Sequence, residues 1–101
     1  MIKHVVMWRL KDTAEGASKH ENALKIKSKL EALKHSITEL RRVEVGINTV
    51  ESADAYDVVL YSEFDSAADL KTYQNHHDHL SVADFIGKVR LERKVVDYES
   101  H

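Results

Sequence analysis

From Ile2 to Leu10 the chain alternates, with Ile2, His4, Val6, Trp8 and Leu10 on one side and Lys3, Val5, Met7 and Arg9 on the other. That is the two-residue period of a strand. Between about residues 17 and 35 the period changes. Ala23, Ile26, Leu30 and Leu33 recur at spacings of three and four, and lysines and glutamates fill the rest of the turn. This predicts a helix with one apolar stripe laid on a sheet. Arg41 to Val50 alternates again, and Glu51-Ser52-Ala53-Asp54 breaks the pattern as a turn. Tyr56 to Phe64 then forms a third strand.

Ser66 followed by Asp69 has capping-box spacing, so a helix is expected from about Ala67 through Leu70 and Tyr73. A further helical stretch is expected where His79, Val82, Ala83 and Ile86 fall at i, i+3, i+4 and i+7, with Gly87 placed to end it. Val89 to Tyr98 makes the last strand, charged early and rich in β-formers late.

The order β-α-β-β-α-β predicts an α+β fold of ferredoxin-like type, a four-stranded antiparallel sheet with its helices on one face. At 101 residues the whole chain, 1–101, is expected to be a single domain. Strands one and three carry apolar residues on both sides: Val5 and Met7 oppose Val6 and Trp8, and Val59 and Tyr61 oppose Val58 and Leu60. One sheet face packs on the helices, so the other needs its own cover. A second copy of the sheet supplies it economically, which predicts a homodimer through the sheet faces.

Composition removes several alternatives. A formal net charge of −2 leaves no basic excess for a phosphate backbone, so nucleic acid is not an expected partner. Lys25, Lys27 and Lys29 share their helix with Glu21 and Glu31 and read as a solvated face. With no cysteine, thiolate metal sites, disulfides and cysteine nucleophiles are excluded. The longest apolar run, Val5 to Trp8, is far short of a membrane span, and Lys3 and His4 interrupt the place of a signal peptide's apolar stretch. No membrane association is expected, and a cytoplasmic location is. Three glycines, none in a phosphate-cradling pattern, leave nucleotides without an anchor.

The opening Ile2-Lys3-His4-Val5-Val6-Met7, the Val45-Gly46-Ile47-Asn48 segment, Tyr73 six residues before His79, and the closing Val96-Asp97-Tyr98 together resemble the stress-responsive dimeric α/β barrel (Dabb) domain family. The resemblance spans nearly the whole chain. It implies a ferredoxin-like monomer whose sheet packs on a partner's to form a barrel, with a pocket for a small apolar or aromatic ligand between each sheet and its own helices. One plant member, a polyketide cyclase, closes a linear polyketide by an aldol step using histidines and tyrosines around that pocket. By this resemblance His4, His79 and Tyr73 match functional positions, and Asp57 stands where that enzyme has another histidine. Its tyrosine on the first helix has no counterpart, since residues 17–35 contain none, and the family's prolines are missing.

The expected pocket comprises His4, Val6, Trp8, Asp57, Tyr73, His79 and Val82. Two imidazoles in one cavity suit proton transfer near neutrality. Asp57 would orient one of them, and Tyr73 would serve as a phenolic donor to an enolate. The alternative role for His4 and His79 is that of core histidines satisfying one another, Asp57 or the backbone. No metal is expected at His76, His77, Asp78 and His79, because helical spacing turns His77 and Asp78 away from the face shared by His76 and His79. No cofactor is expected either, since Trp8 among strand valines reads as packing rather than as a haem wall.

Overall fold

The structure, a computed structural model, describes residues Met1–His101. Its strands and helices run β1 (Ile2–Leu10), β2 (Thr13–Ala14), β3 (Ala17–Ser18), α1 (Lys19–Ala32), β4 (Arg42–Ile47), β5 (Val58–Phe64), α2 (Ala67–Asn75), α3 (His77–Val89) and β6 (Arg90–Glu99). The main sheet has the order β4-β5-β1-β6 with every neighbouring pair antiparallel, the ferredoxin-like arrangement expected from the sequence. All helices lie on one face.

Each helix starts where a side chain can accept an otherwise unpaired N–H. Ser18 caps α1: its Oγ accepts from Glu21 N at 3.2 Å, while the Glu21 carboxylate accepts from Ser18 N at 3.1 Å. Ser66 Oγ accepts from Asp69 N at 3.1 Å and starts α2. His76, in extended conformation, ends α2 and begins α3, its Nδ1 accepting from Asp78 N at 3.1 Å. That one extended residue breaks what would otherwise be a continuous helix from Ala67 to Val89.

β4 and β5 are shorter than expected, β4 ending at Ile47 and β5 starting only at Val58, and two further local features differ from the sequence reading. A short hairpin, β2 and β3, precedes α1 and turns on Glu15 and Gly16, both at positive φ. Two strands of two residues are too short to show a period. The last helix also continues past Gly87 to Val89, because the buried Val82, Ile86 and Val89 extend its apolar stripe by one more turn.

The core lies between sheet and helices. The inner face of the sheet contributes Val6, Trp8, Leu10, Val45, Val58, Leu60 and Phe64, and the predicted α1 stripe of Ala23, Ile26, Leu30 and Leu33 packs on it. At the β4 edge, α1 covers backbone groups that would otherwise be open to another strand. Lys27 Nζ donates to Val45 O at 2.6 Å, and Glu31 accepts from Val45 N at 3.1 Å while pairing with Lys27 at 2.9 Å. No helix is long and apolar enough to cross a membrane.

Candidate functional site

β1 and α3 bring His4 and His79 to one cavity of about 280 Å³ between sheet and helices. Its walls are Val6, Trp8 and Leu60 from the sheet, Leu30 from α1, and Ala83, Ile86 and Gly87 from α3, with Arg90 and Arg93 at the start of β6. Four of the residues expected from the sequence thus meet here: His4, Val6, Trp8 and His79.

His4 is buried, and its Nδ1 meets the carboxylate of Asp97, which lies directly across the β1–β6 ladder. A carboxylate only accepts, so Nδ1 carries the proton and Nε2 is left without a protein partner. His79 is held the same way, its Nδ1 donating to Gln74 O at 3.1 Å. Both imidazoles therefore have a fixed tautomer when neutral, with Nε2 free to act as base or acceptor. Burial holds the His79 imidazole below its usual range. The Gln74 carbonyl opposes this, while His4 and Arg93 from the sheet and His76 from the head of α3 add to it.

A linkage prediction follows from that depressed value. The unfolded chain protonates His79 from about pH 6.5 downward, and the folded chain only at lower pH. Over that window the unfolded state holds more protons, so the stability His79 provides as a neutral ring is lost as pH falls. Urea midpoints of the wild type and His79→Gln are expected to converge as pH drops below about 6.5, at fixed protein concentration. A difference independent of pH would mean that the folded site accepts the charged ring freely.

Tyr73 is fully buried and does not line the cavity. Its ring packs between Phe64, at 4.9 Å between ring centroids, and His79, at 4.5 Å, tilted in both contacts. Its hydroxyl has no partner, and burial raises its ionisation well above the usual phenol range. Val82 is likewise buried in the core behind the cavity wall.

Asp57 is not with the histidines. It lies before β5 next to Trp8 and Leu10, where its N donates to Trp8 O at 2.9 Å and its carboxylate accepts from Leu10 N at 2.8 Å. Trp8 and His4 are four residues apart on one strand, about 13 Å. Asp57 therefore cannot orient an imidazole at His4. Asp97 takes that role, a residue visible in the sequence only as part of the closing Val96-Asp97-Tyr98. The antiparallel register that places it opposite His4 is the signal that identifies it.

At the head of α3, His76, His77 and Asp78 lie closer together than helical spacing suggests, because His76 is the cap rather than part of the helix. Their potential ligand atoms fall within 4.8 Å of one another, with the His76 and His77 rings stacked at 4.7 Å.

Fold and site together define a small ferredoxin-like α+β domain with a two-histidine cavity under its helices. The chain belongs to the Stress Responsive A/B Barrel Domain family (Dabb), whose profile matches residues 2–100. Among solved structures, it is similar to a dimeric protein of ferredoxin-like fold from Bacteroides fragilis, with 30% identity, a TM-score of 0.83 and coverage of 98% of this chain and 95% of that one. A dimeric ferredoxin-like protein from Thermobifida fusca has 24% identity, a TM-score of 0.82 and coverage of 96% and 88%. The hydroxynitrile lyase from Passiflora edulis shares the fold at 20% identity and a TM-score of 0.79, with coverage of 96% and 90%. No functionally curated protein matches the sequence. The dimeric neighbours support a homodimer for this chain.

Proposed function

We propose that this protein is a homodimer, joined through the open faces of its sheets, that takes a small and largely apolar molecule into the cavity beneath its helices. The observation that carries the reading is the cavity itself, about 280 Å³ with a mainly apolar lining, one buried imidazole at His4 and a half-buried one at His79, whose Nε2 atoms have no protein partner. A core built only to satisfy its own histidines would leave neither the volume nor the free nitrogens. The size suits one ring or a short chain, since ligand pockets span roughly 300–1,000 Å³.

Gly87 gives a clean test. It lines the cavity, and a Cβ built on it would meet nothing within 4 Å. Gly87→Leu should therefore fill the space while improving helix propensity by up to about 1 kcal/mol. Indole, a neutral one-ring probe, is expected to bind the wild type in ligand-observed NMR and to lose its signal with Gly87→Leu. Equal signals from both proteins would remove the cavity as a binding site.

A second reading is a cyclase-like lyase in which His4 and His79 serve as general acid and base. The Asp97–His4 bond favours it, since a carboxylate that fixes one imidazole nitrogen prepares the other as a base. A lyase of similar fold is compatible with it. His4→Ala and His79→Ala separate the two readings, and Tyr73→Phe asks whether the phenol outside the cavity takes part. Removing an unpartnered buried hydroxyl should leave stability unchanged or raise it by about 1 kcal/mol. If Tyr73 supplied a proton, turnover of an identified substrate would fall at least about ten-fold. Unchanged turnover in Tyr73→Phe, His4→Ala and His79→Ala would end the catalytic reading.

A further inference from the structure

The cavity has two guanidinium groups in its lining and no carboxylate. Of the other three arginines, Arg9 approaches Glu92 at 3.5 Å and Arg41 approaches Asp65 at 3.0 Å, while Arg42 lies over the Tyr61 ring at 5.9 Å on the opposite face of the sheet. Arg90 and Arg93 take part in no ion pair or side-chain hydrogen bond within the chain. Asp97, on the same side of β6, is already bound to His4.

The backbone brings these two arginines together through an irregularity. Residues three apart on a regular strand point to opposite faces. In β6, however, Glu92 pairs with Arg9 while Arg90 pairs with Leu10, so Leu91 is an extra residue in the ladder. This bulge shifts the parity, and Arg90 opposite Leu10 shares the helix-facing side with Arg93 opposite Trp8. Bulges of this kind re-aim side chains beside functional sites. Here the effect is to set two unpaired cations at an apolar cavity, the first of them also capping the C-terminal end of α3.

We infer that the natural ligand of the cavity is a small organic carboxylate. It would place its apolar body against Val6, Trp8, Leu30 and Leu60, and its carboxylate on the guanidinium groups of Arg90 and Arg93. Planar guanidinium matches carboxylate in a bidentate geometry, and charge-assisted bonds at the edge of an apolar cavity are stronger than neutral ones. No acidic side chain of the lining competes for the two guanidinium groups. This inference rests on the cavity being a binding site and names the chemistry that it selects.

Phenylacetate, its neutral isostere phenylacetamide, and phenyl phosphate should be titrated by NMR into the wild type, Arg90→Gln/Arg93→Gln, Lys88→Gln and Gly87→Leu. Lys88 is one residue from the cavity lining but not part of it, so its loss controls for net charge. Phenylacetate is expected to bind the wild type at least about ten-fold more tightly than the amide, the size of one charge-assisted bond. The advantage should vanish in the double arginine variant, stay within about two-fold in Lys88→Gln, and shrink with added salt. Equal binding of acid and amide, with both blocked by Gly87→Leu, would overturn the carboxylate while leaving the cavity intact. Phenyl phosphate binding alone, or equal loss in Lys88→Gln, would also overturn it. If no probe binds, or Gly87→Leu blocks none, the cavity reading falls and takes this inference with it.

Discussion

Val59→Asp is expected to convert the protein to a monomer, with light scattering at micromolar concentration returning 11.6 kDa instead of twice that mass. Val59 sits on the sheet face that no helix covers, beside Met7 and Gly46 in the ladder. Around it the same face exposes Met7, Val96 and Tyr98, and Lys3, Arg42, Glu44 and Glu63 stand on that face as well. An apolar centre with charged residues around it is the anatomy of an interface. A hollow of about 500 Å³ opens there between Met7, Gly46, Ile47, Tyr56 and Val59. Gly46 keeps it open, since a Cβ at that position would lie 3.1 Å from Val59 Cγ1. Two-fold symmetry places the substitution in the interface twice, and each buried carboxylate costs several kcal/mol when it lacks a partner. The unfolding midpoint of the wild type should rise with protein concentration, and that of Val59→Asp should not. A dimer that survives the change would show that the open face is not the interface.

The layout of elements was legible because strands and helices bury one side each, and burial imposes a period. From His4 to Leu10 the strand alternates in burial as it does in sequence, and the stripe of Ala23, Ile26 and Leu30 on α1 with Leu33 at its C-terminal cap is buried in full. Positions decided by register were not legible. His4 and His79 could be placed in one cavity because each lies on the buried side of its own element. Its partner Asp97 could not be identified, because it is 93 residues away and the match depends on how β6 aligns with β1. A resemblance at one position points to Asp57 instead, but the Asp57 carboxylate is engaged by the Leu10 N–H. The Leu91 bulge that turns Arg90 and Arg93 to one side belongs to the same class, since an extra residue in a ladder is visible only against the partner strand. The His76 break is intermediate. A histidine-rich run marked the place, but the capping role of His76 follows from backbone geometry.

Phe64→Ala is expected to cost about 3–5 kcal/mol, the largest loss anticipated from any single truncation near the site. Phe64 is completely buried at the end of β5, and three rings depend on it. It meets His4 edge-on at 6.4 Å and Tyr73 at 4.9 Å, and Tyr73 in turn holds His79 at 4.5 Å. Removing the ring empties the middle of this chain of aromatic contacts, and Tyr73, whose hydroxyl has no bond to hold it, is the neighbour freest to move. Urea unfolding at matched protein concentration measures the loss. Phe64→Leu keeps most of the volume and should cost only about 1–1.5 kcal/mol, so it folds and reports on the site itself. In that variant a looser Tyr73 admits water to His79. Since burial is the main cause that depresses this imidazole, its titration by NMR should move up toward the ordinary histidine value. An unchanged His79 titration in Phe64→Leu would mean that α3 alone sets the environment of His79, with Phe64 and Tyr73 serving only as filling for the core.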